Sequence, residues 1–472
     1  MLGRRERRQQ TLFFTCQLSA LVPESHILKR VDRVLDLSWL AGEVGSLYAA
    51  GQGRPSIDPE VAVRLMLAGF FEGIVHDRKL LRQAEVNVAI RWFCGYGLDE
   101  ALPDHSSLTR IRQRWGAARF RRLFERTVAA CVSAGLVTGE TVHVDATLIR
   151  ADVSWESLVA RHVERTLEVN EVADETPSGD QDEAAGAGPS TPGPRVSRTD
   201  PDARVAKGGR ARRGEPAYKQ LTAVDDTAGI IVDVAVEPGT APEGAQLVAQ
   251  LERVESSTGR AVRRVTADKG YASAANYAAL EARGIEAIIA PERVGRAQGA
   301  VPGRRFKYDA RHDVVRCPAG RVLRHRWFDG ERHHYRAETA VCRRCRLRRA
   351  CLAPSATART ARLLPGHSAL VRARRRSARG DQIWRHQMAR HRWQVEGVHG
   401  EAKSQHGLAR AARRRLWNVS IQAYLTAVAI NLKRLARAVC ARPVKAARCR
   451  VRSLARGLFG LLAQGLRRLC PA

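Results

Sequence analysis

No segment of this 472-residue chain has the length and apolar purity needed to span a membrane, and no tandem repeat is visible at solenoid periods. Helical membrane spans and repeat architectures are therefore not expected. Lysine is scarce: only nine of the 80 basic residues are lysine. Acids are also outnumbered, at 48, which leaves a formal net charge of +32 and a pI near 11.0. That excess goes beyond what solubility needs and implies a polyanionic partner, nucleic acid first. Arginine's planar fork suits phosphate, although a coding bias toward Arg and Ala would give the same preference. The charge excess survives that objection. A clean export signal is lacking too, because Gln17 and Ser19 interrupt the mildly apolar run from Thr11 to Val22 and no cleavage site follows. Ten cysteines without an export signal point to a reducing compartment, and their clustering suggests metal before disulfide.

What is present is globular. The apolar fraction of 44% can support a full core and two to three domains at this length. From Ser56 to Gly116 the pattern is helical. Ser56 or Asp58 with Pro59 can start a helix through Phe71, a second covers Arg78 to Phe93, and a third starts near Asp104 to Ser107. The third carries Arg110, Arg112 and Arg114. A helix-turn-helix that binds DNA and a helical packing domain fit this module equally well.

From Glu140 the period changes. Thr141 to Ile149 alternates as a strand and places Asp145 with its polar set. Residues 168–215 are too polar to pack and read as a mobile insertion. Tyr218 to Val224 and Ile230 to Val236, joined by Asp226-Thr-Ala-Gly229, predict a hairpin. A helix from Gly244 to Val254 leads to the strand Arg264 to Asp268, which puts Asp268 at a strand's C-terminal end, and a further helix (Ala274 to Arg283) and strand (Ile285 to Ala290) follow. Three antiparallel strands and then crossover units describe an α/β fold, a ribonuclease H-like mixed sheet with flanking helices. The expected segments are a helical module over 1–125, the first part of the core over 126–291, a Cys-bearing insertion over 292–380, a Glu-bearing helix with the last core helix over 381–440, and a basic tail over 441–472.

The insertion holds Cys317-Pro-Ala-Gly320, then Cys342-Arg-Arg-Cys345 and Cys351. One cysteine pair two residues apart with two further thiols is compatible with a tetrahedral structural zinc site, with His312, His325, His333 and His334 as substitute ligands and ordinary reduced cysteines as the alternative. A ribbon with two such pairs would be a more complete signal. The other six cysteines, Cys16, Cys94, Cys131, Cys440, Cys449 and Cys470, show no ligand spacing.

The most informative stretch is a long helix from Gln382 to Gly407. At about 100° per residue, Arg392, Glu396, His399 and Lys403 share one face. Trp384, Met388, Val395, Val398 and Ala402 gather to one side of it, so the helix can pack and still present a charged row. Glu401 points the other way. Adjacent strands lie about 4.8 Å apart, so Asp145 and Asp268 can converge and Glu396 need only lean over that edge. Three carboxylates gathered in this way suit two hard divalent ions and phosphoryl transfer. Asp225, Asp226 and Asp104 are competitors, the first two at a hairpin turn and the third as a helix cap.

In these motifs the chain resembles the DDE transposases of bacterial insertion sequences, over roughly Ser56 to Val439. Arg392-x3-Glu396-x6-Lys403 matches three of the four places in the family pattern Tyr-x2-Arg-x3-Glu-x6-Lys, with Ala389 where the tyrosine would stand. Asp268-Lys-Gly-Tyr271 is similar to the family's second acidic motif and Asp145-Ala-Thr147 to its first. Pro103 to Arg110 is similar to the family's N-terminal helical module. The resemblance implies Asp145, Asp268 and Glu396 as ligands of two Mg²⁺ ions, with Mn²⁺ as a substitute. Arg392 and Lys403 would contact phosphates, as would the surface arginines Arg413, Arg414, Arg415, Arg110, Arg112 and Arg114. It further implies double-stranded DNA as partner (element ends and target), a homodimer in that complex, no membrane, and a cytoplasmic, nucleoid-associated location. A DNA-binding protein without chemistry and a nuclease that cuts without joining are the alternatives.

Overall fold

The computed structural model describes residues 17–49, 56–160, 195–207, 214–291 and 301–440. Cys16, Cys449, Cys470, much of the polar insertion and the basic tail lie outside these residues. The chain forms two compact units, one of Met1–Phe124, Lys403–Leu408 and Tyr424–Ala472, the other of Glu125–Ala402 and Ala409–Ala423. This division cuts across the linear segments, because three long helices, over residues 105–133, 382–405 and 416–440, contribute to both units.

The first unit is helical. It comprises α1 (Leu18–Leu21), α2 (Ile27–Asp32), α3 (Leu40–Val44), α4 (Pro59–Phe71), α5 (Asp77–Val86), α6 (Val88–Cys94) and the first part of α7 (His105–Ser133). Asp58 starts α4 by accepting the Glu60 and Val61 N–H groups, with Pro59 in the first turn. The single helix expected over Arg78 to Phe93 is instead two. Asn87 is extended between them (φ −102°, ψ 107°) and its side chain accepts the Ile90 N–H, so a local cap replaces one helical turn. In α7 the chain kinks at Gly116, whose φ of 65° only glycine adopts cheaply. Leu108, Ile111, Trp115, Phe120 and Phe124 are buried along it, so α7 is a core helix.

The second unit is built on a mixed sheet: β1 (Thr141–Arg150), β2 (Leu158–Ala160), β3 (Arg195–Ser197), β4 (Arg204–Ala206), β5 (Glu215–Asp225), β6 (Ile231–Pro238), β7 (Arg264–Ala267) and β8 (Glu286–Ile289). The order is β2-β3-β4-β5-β1-β7-β8, with β6 also paired to β5. β5 is antiparallel to β1 and β6, whereas β1, β7 and β8 run parallel, with α8 (Leu247–Thr258) leading from β6 to β7 and α9 (Ala274–Ala282) from β7 to β8. The hairpin and the crossover units form where the sequence pattern places them. The insertion does not wholly follow expectation: β3 and β4 fall inside it and join the sheet. Val196, Ala203 and Asp200 are buried there, and Tyr218 donates to Asp200 at 2.5 Å.

The Cys-bearing segment carries a second antiparallel sheet that the sequence did not reveal: β9 (Lys307–Asp309), β10 (Val314–Arg316), β11 (Val322–Phe328), β12 (His333–Arg336) and β13 (Thr360–Leu363), with α10 (Thr339–Arg343) and α11 (Arg348–Cys351) before the last strand. Its core is small, with Val315, Leu323, Tyr335 and Ala337 buried. Then come α12 (His367–Arg379), α13 (Gln382–Gln405) and a last helix, α14, over residues 416–440. Among the described residues no helix is long and apolar enough to cross a membrane.

Candidate active site

The ladder between β1 and β7 sets the site. Its last pair is Val144 with Ala267, in parallel register, so the next residues, Asp145 and Asp268, stand level on neighbouring strands. Val144 and Ala267 are fully buried, which fixes that register through the core. Asp145 is half-buried opposite Thr222 of β5. Asp268 is exposed, caps the turn Lys269–Tyr271 and accepts the Gly270 N–H at 2.7 Å.

Helix α13 supplies the third acid. Trp384, Val395, Val398 and Ala402 are buried on one side of it, and Arg392 and Glu396 are exposed, as its periodicity predicts. Met388 is only partly buried. His399 departs from the expected charged row. It is buried, with Nε2 3.1 Å from the Thr222 hydroxyl and Nδ1 3.7 Å from an Asp145 oxygen.

The helix is held by a polar chain that no local pattern marks. His143 of β1 bonds the Thr266 hydroxyl at 2.6 Å through Nδ1 and Asp226 at 2.8 Å through Nε2. Thr266 also bonds His391 of α13 at 2.9 Å. Arg390 and Gln394 donate to the Asp226 carbonyl at 2.6 and 2.9 Å. Burial pushes His391 down to about 4 and lowers His143 as well, so both rings are neutral links. Burial works against the Asp226 charge, but hydrogen bonds from Arg390 and His143 hold its carboxyl below the usual range. Asp226 is therefore a docking residue at the hairpin turn, which removes it as a competitor for catalysis.

Electrostatics tie the acids together. Asp145 is pushed up to about 7, first by burial and then by the negative charges of Asp268, Glu243 and Glu396, with a backbone hydrogen bond opposing. Glu243 was not singled out from the sequence. It opens the short turn Glu243–Gln246 after β6 and pairs with Lys219 at 3.2 Å. Nothing in its Pro-Glu-Gly surroundings marks it, and only the fold brings it to Asp145.

The cationic residues sort into two groups. Arg392, Arg110 and Arg114 are exposed, with Arg114 lying over the Tyr48 ring at 4.6 Å. Arg112 contradicts its expected phosphate-binding role: it is buried and bidentate to Asp77 at 2.7 and 2.8 Å. The apolar stripe already pointed there, since Arg112 lies four residues after Leu108 and three before Trp115. Lys403 and Arg413 are half-buried. Arg414 is exposed and donates to the Asp152 carbonyl at 3.0 Å, while Arg415, also exposed, has a left-handed backbone (φ 77°) and its N–H bonds Asp200.

In the second sheet Cys317, Cys342, Cys345 and Cys351 line one cavity of about 30 Å³. All four are free thiols. Burial raises the Cys351 thiol, and the other three thiols add to the rise. None of the four candidate histidines lines the cavity: His312 bonds Asp309, His334 bonds Asp329 and stacks on Trp327, and His325 meets His333. Cys94 and Cys131 are buried and in no disulfide. Among the described residues no three His, Cys, Asp or Glu side chains stand as they would around a metal ion. This holds for the acids as well as for the thiols.

Known proteins place the chain further. A family model described as a transposase domain matches residues 16–114, and one described as a transposase DDE domain matches residues 190–432, just over half of the chain. Asp268 and Glu396 fall inside the second span and Asp145 before it. Among curated proteins none matches. A solved structure, the piggyBac transposase synaptic complex with hairpin DNA, is similar at a TM-score of 0.32 and 10% identity, over 86% of this chain and 73% of that one.

Proposed function

We propose, since this chain belongs to the DDE transposases of the insertion-sequence type, that it binds the terminal inverted repeats of its element, cleaves phosphodiesters there and joins the freed 3′-hydroxyl ends to target DNA, as two copies in the DNA complex. The observation that carries this reading is the level placement of Asp145 and Asp268 one residue beyond the Val144 and Ala267 pair, with the Glu396 charge reaching Asp145. The strand order β6-β5-β1-β7-β8, with β6 and β5 antiparallel and β1, β7 and β8 parallel, supports a ribonuclease H-like core.

Asp145, Asp268 and Glu396 would hold two Mg²⁺ ions, or Mn²⁺ in their place. The fit lies in the chemistry of the donor set. Its members are all carboxylates, and burial first, then the neighbouring negative charges, favour a proton on the Asp145 carboxyl, which a hard dication would displace. When bound, the ions supply Lewis-acid stabilisation of the charge that builds on the oxygens of the scissile phosphate. The chain's own residues position and balance. The Asp226, His143, Thr266 and His391 links fix the phase of α13, so that Glu396 faces the sheet edge where the two aspartates end. His399 donates to or accepts from Thr222 and keeps its other nitrogen beside Asp145. Arg392, one turn before Glu396, would meet a DNA phosphate. Lys403 and the arginines at 110, 114 and 413–415 would also contact phosphates, and the large positive charge gives affinity that falls with salt.

A structural zinc ion at Cys317, Cys342, Cys345 and Cys351 is part of the same reading. It is supported by the convergence of four thiols on one small cavity and by the Leu347 N–H donated to Cys345 Sγ at 3.4 Å. A core of four buried residues gives this sheet little else to stabilise it.

The test is a strand-transfer assay on duplex DNA carrying the element's ends, with Mg²⁺ and target plasmid. Joined products support the transposase; cleavage without joining would indicate a nuclease, and binding without cleavage a DNA-binding protein.

A further inference from the structure

The acid cluster contains one more member than the three that the sequence motifs supply. Glu243 sits on the turn after β6, and the reason it reaches the site is a tight approach of two loops. Asn276 Nδ2 donates to the carbonyls of Gly244 and Tyr271 at 2.9 and 3.0 Å, clamping the turn of Glu243 onto the turn of Asp268. A Cβ at Gly244 would stand 3.0 Å from the Gly270 carbonyl oxygen, a tight contact, so the two loops approach closely at this point. On the other loop, a Cβ at Gly270 would collide with Glu243 Oε2 and stand 3.1 Å from Asp268 Oδ1. The two carboxylates therefore flank the same point of backbone. The Glu243 charge also acts on Asp145. Lys219 offsets part of this charge from 3.2 Å and is itself held by the Ala241 carbonyl at 2.7 Å.

A second observation comes from Tyr271. Its side chain is fully buried and its hydroxyl has no hydrogen-bond partner. The charges of Asp145, Glu243 and Asp268 all act on that phenol. An unmade hydrogen bond on a buried hydroxyl is costly, because the group has given up water without gaining a partner. A hydrated cation held by these carboxylates would present the acceptor oxygens that Tyr271 lacks.

We propose that Glu243 is a fourth carboxylate ligand of the divalent cations, shared with Asp145 and Asp268, and that Tyr271 is a positioning residue whose hydroxyl bonds the water shell or a ligand oxygen. The proposal rests on the transposase reading and adds to it. Two dications and a phosphodiester are balanced in charge by three carboxylates, and Glu243 paired with Lys219 adds an oxygen ligand at no change in net charge.

The experiment is calorimetric titration of the full-length protein with Mn²⁺, in parallel with DNA cleavage at graded Mg²⁺. Glu243→Gln is expected to weaken Mn²⁺ binding tenfold or more, or to remove one bound ion, and to move cleavage to higher Mg²⁺. Lys219→Met is expected to leave Mn²⁺ affinity unchanged or raised, since it removes a competing positive charge. Tyr271→Phe is expected to weaken Mn²⁺ binding a few-fold without loss of fold. Unchanged Mn²⁺ affinity and stoichiometry in Glu243→Gln overturns the proposal, as does an equal fall in Lys219→Met, which would make Glu243 only a structural partner of Lys219. If Glu243→Gln does not fold, Glu243→Asp takes its place, and Mn²⁺ binding identical to wild type overturns the proposal. Asp268→Asn separates the two levels: if it too leaves Mn²⁺ binding intact, the transposase site assignment falls with the inference; if it abolishes binding while Glu243→Gln does not, only the inference falls.

Discussion

Asp145 and Asp268 stand level on parallel neighbours β1 and β7, one residue beyond the pair formed by Val144 and Ala267. That register is set by residues with no chemistry of their own. A slip of one residue would move Ala267 off Val144 and Asp268 off Asp145, so the pairing that fills the core also aligns the site.

The first prediction concerns pH and metal. The Asp145 carboxyl titrates near 7 in the fold against an ordinary value of 3.8, burial being the main cause. A raised acid contributes stability that is fully present below the unfolded value and is lost as pH rises through the folded one. The metal-free protein should therefore lose a few degrees of Tm between pH 6 and pH 8 relative to Asp145→Asn, in which that dependence is absent. Adding Mg²⁺ at pH 8 should restore the difference in the wild type alone. Thermal melts across pH, with and without Mg²⁺, check this.

The second prediction separates two arginines that look alike in sequence. Arg112 is buried against Asp77, so Arg112→Met should destabilise the protein by about 3 kcal/mol. Arg392 is exposed beside Glu396, so Arg392→Ala should leave stability nearly unchanged and lower the slope of log affinity against log salt by about one. Denaturant melts and DNA binding at several salt concentrations give the two readouts.

How far the sequence carried differs from element to element. The alternation of β1, the hairpin turn at Asp226 to Gly229 and the apolar stripe of α13 were legible because each is a local period. β3 and β4 were not, since strands of three residues need only Val196 and a few neighbours to bury, and their composition is that of a loop. Glu243 was invisible because its partners, Asp268 and Asp145, are distant in sequence and its own turn carries no motif. Arg112 was misjudged by charge alone, although its position among Leu108, Ile111 and Trp115 pointed inward.

The third prediction addresses the four thiols. Protein purified without chelator should carry about one zinc per chain by elemental analysis if the site is structural. Cys342→Ser should abolish that content and lower Tm by several degrees. A zinc-free protein with unchanged Tm in Cys342→Ser would leave ordinary reduced cysteines in this cavity.

The most direct measurement is cleavage of element-end DNA by Glu396→Gln beside Glu401→Gln. The first keeps the shape and one carbonyl oxygen but removes the charge that the site needs to balance a divalent ion. The second alters a half-buried acid on the same helix outside the cluster. Binding should survive in both, since affinity comes mainly from the arginine surface. Cleavage should be lost, by a factor of a thousand or more, in Glu396→Gln, and retained in Glu401→Gln. Normal cleavage by Glu396→Gln would contradict the account, and loss in Glu401→Gln alone would mean that the catalytic face of α13 has been misassigned.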